Sequence, residues 1–298
     1  MKKILSNKKF WILICVFGLL LLSGCQRNTD AQGNVLPERI IYLSTPWSAM
    51  LNESILTAIL VYPLAQIINF IGGITGSGVL GVVITTLLYN ALTMILSIKS
   101  TVSQQKMQMI QPELNKIQAK YEGKTDDNSR MQMYQEQQAL MNKHGVNPMA
   151  SLGTVFLSFP IMIAMFYAAQ RADVVVNGTF LGVPLQKTPW DGFTNIKEYW
   201  PLIIIFVFMV IMQFGSSMLP QYLANKRRKS QKNYKAYADD GSANNSQMNT
   251  MMYSMILMVV ILGIRWPSAM SVYWAVSSFA NIIKTLFIQR RYIDNAEI

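Results

Sequence analysis

The sequence predicts an all-α integral membrane protein: five transmembrane helices after signal removal, an outer interfacial helix and a cytoplasmic helical hairpin. Three observations predict it. Charged residues make up 14% of the 298 positions, against about 25% in an ordinary soluble chain. Hydrophobic residues make up 51%, the mean hydropathy is +0.25, and the apolar residues are gathered into runs long enough to span a bilayer. The net charge of +11 is concentrated in segments that alternate with those runs, the pattern that marks inner faces.

Residues 1–24 read as a lipoprotein signal peptide. Lys2, Lys3, Lys8 and Lys9 form a positive start. The apolar stretch 10–22 is too short for a spanning helix and suits a signal core. It ends in Leu22-Ser23-Gly24-Cys25, a lipobox pattern whose small residues fit a peptidase cleft. Cys25 is the expected attachment point of a covalent diacylglycerol, with N-acylation of the same residue as a further option; two acyl chains anchor stably where one does not. The alternative is an uncleaved anchor with an incidental cysteine. Cys15 lies within the discarded segment, so no disulfide or cysteine metal site is expected in the mature chain.

Residues 25–54 are polar and mixed, a tether. Residues 55–74 are apolar but broken by Pro63, Gly72 and Gly73, which favours a helix lying on the outer face over one that dips into the bilayer. The spans are 75–98, 146–169, 200–219, 248–264 and 270–289. A hairpin at 99–145, an outer loop at 170–199, a basic loop at 220–247, an outer turn at 265–269 and a tail at 290–298 connect or follow them. The loop 220–247 carries Lys226, Arg227, Arg228, Lys229, Lys232 and Lys235, and the tail carries Arg290 and Arg291. Both are therefore cytoplasmic. Two crossings separate them, so they agree, and counting back places Cys25 outside, where a lipoprotein signal requires it.

Within the hairpin, Val102, Met109, Leu114, Ile117 and Tyr121 recur near helical spacing. Pro112 is expected to start a fresh turn or kink the helix. Residues 123–129 break it, and 129–142 form a second helix rich in Gln and Met. Met107, Met109, Met131, Met133 and Met141 either present a soft surface to varied apolar partners or pack the two helices together.

Four of the five spans carry a polar stripe. The first has Thr86, Asn90, Thr93 and Ser97, spaced to fall on one helix face. The second has Ser151, Thr154 and Ser158, the third Gln213 and Ser217, and the fifth Ser277, Asn281 and Lys284. Lipid cannot satisfy such groups. They bond across helices as glue, or they line a wetted groove that takes a polar guest. A serine or threonine hydroxyl can bond its own backbone. The Asn90 amide has more donors and acceptors than one carbonyl exhausts.

Lys106-Met107-Gln108, Gln111-Pro112-Glu113-Leu114 and Lys120-Tyr121 resemble the cytoplasmic hairpin of the YidC/Oxa membrane protein insertases. Lys143-His144-Gly145-Val146-Asn147-Pro148, followed by Pro160, is similar to the start of that family's second span. Pro267-Ser268-Ala269 with Tyr273-Trp274 is similar to the start of its last. The resemblance covers roughly residues 55–290, and the lipobox with five mature spans looks like the Gram-positive branch. It implies a protein that moves polar segments of client membrane proteins through a hydrophilic groove open to cytoplasm and lipid, alone or beside the Sec translocon. The groove residues would be Thr86, Asn90, Thr93, Ser97, Ser158, Gln213, Ser217, Ser277 and Asn281. Client or ribosome contacts would be Lys106, Met107, Met109, Met131, Met133, Lys226, Arg227, Arg228 and Lys229. The family's usual groove arginine falls on Asn90, and its common proline on Ile95, so this groove is expected to work through neutral hydrogen bonding.

The partners implied are nascent membrane proteins, the Sec translocon, anionic lipids and a weakly held ribosome; DNA is not among them. Truncating 292–298 is expected to leave ribosome docking little changed. A small-solute transporter is disfavoured by the lack of a repeat and of acidic residues in the spans. An enzyme is disfavoured because His144 is the only histidine and no cofactor, metal or nucleophile motif is present. A non-inserting assembly chaperone remains a rival.

Overall fold

A computed structural model describes residues 35–124, 126–146, 148–230 and 243–293. Cys25 and the signal segment lie outside the described residues, as do Lys232, Lys235 and the end of the tail. The described chain is almost entirely helical. Its helices are α1 (Trp47–Glu53), α2 (Tyr62–Thr75, entered through a π turn at Thr57–Val61), α3 (Gly78–Lys120), α4 (Asp127–Lys143), α5 (Pro148–Arg171) and α6 (Asp173–Val176). After a two-stranded hairpin, β1 (Thr179–Phe180) and β2 (Val183–Pro184), come α7 (Pro189–Thr194), α8 (Ile196–Ser230), α9 (Ala243–Arg265) and α10 (Ser268–Ile288). A final π turn covers Gln289–Ile293.

Helices stand at all five expected spans. Among the described residues, four are long and apolar enough to cross a membrane: Thr57–Thr75, Gly78–Ile95, Ile196–Arg227 and Ser268–Ile293. The chain is thus an all-α membrane protein. Thr57–Thr75, which the sequence places on the outer face, is one of these four. Its π turn has a local cause: Pro63 lacks the N–H that would bond residue 59, and its ring crowds that carbonyl.

The described chain divides into two compact units. The first takes in the residues up to Thr86, Ser158–Phe206 and Arg265–Tyr273. Here α2 and α3 form a close hairpin. Gly76, at φ 67°, ends α2 in the left-handed conformation that favours glycine. A Cβ on Gly81 would lie 2.6 Å from the Ile68 carbonyl oxygen, so only glycine lets the two backbones come this near. Leu181 and Gly182 both have positive φ and make the two-residue turn between β1 and β2. Helix α7 opens with a Thr188–Asp191 capping box and Pro189 in its first turn. The Pro267-Ser268-Ala269 motif is anchored through Ser268, whose N–H and Oγ both donate to the Lys187 carbonyl, and through the Ala269 N–H, which donates to the Leu185 carbonyl.

The segment expected as a tether is folded from Val35 onward. Ile41 is fully buried. Its N–H donates to the Arg171 carbonyl at 2.8 Å, and its own carbonyl accepts from Asp173 N–H and from Asn69 Nδ2. The Asn69 Oδ1 accepts from Val174 N–H. Arg171, 2% exposed, donates through Nε to the Arg39 carbonyl and through Nη2 to Glu53, which also pairs with Arg39 at 3.1 Å.

The second unit comprises Leu87–Leu157, Val207–Ile264 and the chain from Trp274 on. Helix α3 continues through Pro112 to Lys120, so the first span and the first hairpin arm are one helix, with no fresh start at the proline. The missing N–H removes one bond from a ladder that packing on both sides retains. Met109, Ala224, Ile288 and Ile293 form one buried cluster with Val102 against it. Ile110, Leu114 and Val146 form another, joined by Met107, Leu140 and Met141. Helix α4 is capped by Asp126, whose carboxylate accepts from Ser129 N–H at 2.8 Å.

Candidate client groove

In the second unit, α3, α8 and α10 carry polar groups on half-buried and buried positions. On α10, Ile283 and Phe287 are exposed, whereas Ser277 and Asn281 are half-buried and Ser278 and Thr285 are buried. Ser278 Oγ donates to Gln213 Oε1 at 2.7 Å, joining α10 to α8. Gln105 Nε2 donates to the Thr285 carbonyl at 3.3 Å, joining α3 to α10. Ser217, one turn beyond Gln213 on α8, is half-buried.

The α3 stripe behaves residue by residue. Thr93 Oγ1 donates to the carbonyls of Tyr89 and Asn90, and Ser97 Oγ to that of Met94. These hydroxyls satisfy themselves on their own helix. Asn90 is half-buried. Thr86 belongs to the first unit, is fully buried, and donates to the Val82 carbonyl at 2.7 Å. Ser151, Thr154 and Ser158 lie on α5, but their side chains are outside what is described.

Sequence reasoning missed part of this surface. Thr101, Ser103 and Gln105 are buried on α3 beyond Ser97. Thr101 and Gln105 continue the four-residue spacing past Ile98, where hydropathy suggested the span should end. Ser278, adjacent to the expected Ser277, makes the interhelical bond. Their neighbourhood holds two buried amide oxygens, Gln105 Oε1 and Gln108 Oε1, with no hydrogen-bond donor among the described residues. Buried acceptors of this kind take water or a guest donor.

On the α3–α4 hairpin the methionines divide. Met109 is buried with Ala224, Ile288 and Ile293, and Met107 and Met141 pack against the separate cluster of Ile110, Leu114 and Val146. Met133 is half-buried, while Met131 is 59% exposed beside Tyr134. Burial leaves Met109 no surface for a client. Lys106 is half-buried and Lys226 exposed. An Arg227 Nη1 donates to the Ile293 carbonyl, so this arginine is engaged within the fold. The side chains of Arg228 and Lys229 are outside the described set. The hairpin arms are clasped by Lys120 Nζ on Glu136 at 2.5 Å and by Tyr121 Oη on the same carboxylate at 2.9 Å. The hydrogen bond from Lys120, then that from Tyr121, holds the Glu136 carboxyl below its usual range. The same bond to Glu136 pushes Lys120 up.

A sequence model of the 60Kd inner membrane protein family matches residues 70–295. The chain is 32% identical to Membrane protein insertase YidC 1 of Streptococcus pyogenes serotype M3 over 238 residues, 80% of this chain and 76% of that protein. It is 29% identical to Membrane protein insertase MisCA of Bacillus subtilis over 235 residues, 77% of each chain. It is 28% identical to Membrane protein insertase YidC of Oceanobacillus iheyensis over 290 residues, 95% of this chain and 97% of that one. With this match across most of its length, and with the polar-faced helices described above, the chain belongs to the 60Kd inner membrane protein family.

Proposed function

We propose that this chain is a membrane protein insertase, as its relatives are named, acting on nascent membrane proteins without bond chemistry. The observation that carries the reading is the polar seam of the second unit, where Gln213, Ser278, Gln105 and Asn281 face inward from otherwise apolar helices. A client's polar tail occupies that seam while its apolar helix moves into lipid. Burial of client apolar surface drives the transfer, and the membrane potential adds to it where charges allow. Sec translocon, ribosome and anionic lipid are the partners in this reading.

The topology accompanying it has Cys25 lipidated outside, five crossings and a cytoplasmic tail in the cell membrane. Helix α2 then lies on the outer face. Its partners along its length support this: Trp47 on the Ala58 carbonyl, Tyr62 on the Thr45 carbonyl, Gln66 on the Tyr42 carbonyl, and Asn69 between Ile41 and Val174. All belong to segments assigned outside by the charge bias. A crossing helix would carry one end to inner-loop residues instead.

The test is insertion of a client by the purified full chain into vesicles lacking the Sec translocon, with Asn90→Leu and Asn90→Arg beside the parent. Insertion by the parent with loss in Asn90→Leu supports the reading. Absence of insertion by the parent overturns it. Full activity of Asn90→Leu on every client removes Asn90 from the groove.

A further inference from the structure

Lys284 is the single charged residue in the five spans, counting every Asp, Glu, Lys and Arg in 75–98, 146–169, 200–219, 248–264 and 270–289. It shares the face of α10 that carries Ser277 and Asn281, spaced four and three residues apart. It is half-buried, while Ile283 and Phe287 are exposed. No carboxylate among the described residues pairs with it. The acidic residues of its unit that are among the described residues sit on the hairpin, where Glu136 is taken by Lys120 and Glu113 lies near His144.

Its level is set by its neighbour. Thr285 accepts from Gln105 of α3, and Gln105 follows Asn90 by 15 residues, about 22 Å of helix. Lys284 is therefore no stand-in for a cation at position 90. It lies at the Gln105 end of the seam, next in sequence to Thr285, whose carbonyl accepts from Gln105, and the buried Gln105 amide oxygen has no donor among the described residues. A lysine there merely reaching for headgroups belongs with the lipid-facing residues of α10. Lys284 lies on the polar face instead.

We infer that Lys284 is the specificity-determining cation at the cytoplasmic mouth of the groove, engaging carboxylates of the client segment to be translocated as that segment enters. The inference rests on the insertase reading and corrects the expectation of a wholly neutral groove: the middle is neutral and the inner mouth carries a cation. A carboxylate arriving there loses part of its hydration and regains an ammonium, so acidic tails are captured preferentially.

The test uses the purified full chain in translocon-free vesicles and two clients that differ only in their translocated tail, one with Asp and Glu, the other with Asn and Gln. Lys284→Gln, which keeps much of the stem, should lower insertion of the acidic client about fivefold, the effect of a partly exposed ion pair, and leave the neutral client unchanged. Lys284→Arg should retain the preference, and Lys284→Glu should favour a client with a lysine tail. The pattern should be the same in zwitterionic vesicles and in vesicles containing phosphatidylglycerol. Equal loss for both clients, no loss for either, or an effect confined to anionic vesicles overturns the inference while leaving the insertase reading intact. Failure of the parent to insert the neutral client overturns both.

Discussion

The guanidinium of Arg171 donates to the carboxylate of Glu53 at 2.9 Å across 118 residues of sequence. Arg171 ends α5 and Glu53 ends α1, so this contact holds the folded N-terminal segment to the C-terminal end of α5. Removing one partner of a buried pair leaves the other charge uncompensated, which costs about 3–5 kcal/mol. Because Arg39 and Arg171 share the Glu53 carboxylate, Glu53→Gln takes it from both guanidiniums and should fall at the high end. It should expose residues 35–54 to limited proteolysis, and Glu53→Gln combined with Arg171→Met should recover part of the loss. Equal protease resistance in parent and Glu53→Gln would show that the pair does not hold the segment.

Two glycines of the α2–α3 hairpin should respond oppositely to alanine. A Cβ on Gly81 meets the Ile68 carbonyl at 2.6 Å, whereas one on Gly73 meets nothing within 4 Å. Gly81→Ala should destabilise by about 1–3 kcal/mol. Gly73→Ala should be neutral or stabilise by up to about 1 kcal/mol through helix propensity. Thermal unfolding of the two variants in one detergent checks the contrast.

Ile293 ties the tail to the fold: it is fully buried against Met109, Ala224 and Ile288, and its carbonyl accepts from Arg227. Removing 294–298 keeps these contacts and serves as the control. Removing 292–298 deletes that buried side chain and should cost about 2 kcal/mol. Ribosome pelleting with the two truncations separates docking from stability: a loss seen only with the longer deletion reflects packing.

The hairpin clasp should weaken at both ends of the pH scale. Glu136 is held low, so its contribution is present above the unfolded glutamate range and is lost as pH falls through its folded value. Lys120 is held high, so its contribution is present below the unfolded lysine range and is lost as pH rises through its folded value. Hydrogen-exchange protection across residues 118–136 should decline in acid, and Glu136→Gln should remove the acid step. An unchanged acid profile in that variant would assign the step elsewhere.

Much of the fold was legible because hydropathy and charge act locally. Apolar runs marked the helices, and the lysines and arginines between them supported one orientation. The continuity of α3 was hidden because the drop in hydropathy after Ile98 marks a change of surroundings, not a break in the backbone, and Pro112 was given more weight than its surroundings allow. The folded segment 35–54 was hidden for another reason. Its order comes from Asn69 and Arg171, partners no local pattern connects to it. On the polar stripes, spacing located the faces but not the bonds. Ser278 rather than Ser277 reaches Gln213, and adjacent residues on a helix point about 100° apart.

The central claim is that the inward polar face of α10, with its partners on α3 and α8, receives the client. Photocrosslinking to a stalled nascent membrane protein tests it most directly, with the reactive group placed in turn at positions 90, 281 and 283. The account predicts client adducts from 90 and 281 and markedly fewer from 283, whose Ile side chain is 50% exposed on the opposite face. Adducts from 283 as abundant as those from 281, or none from either 90 or 281, would contradict it.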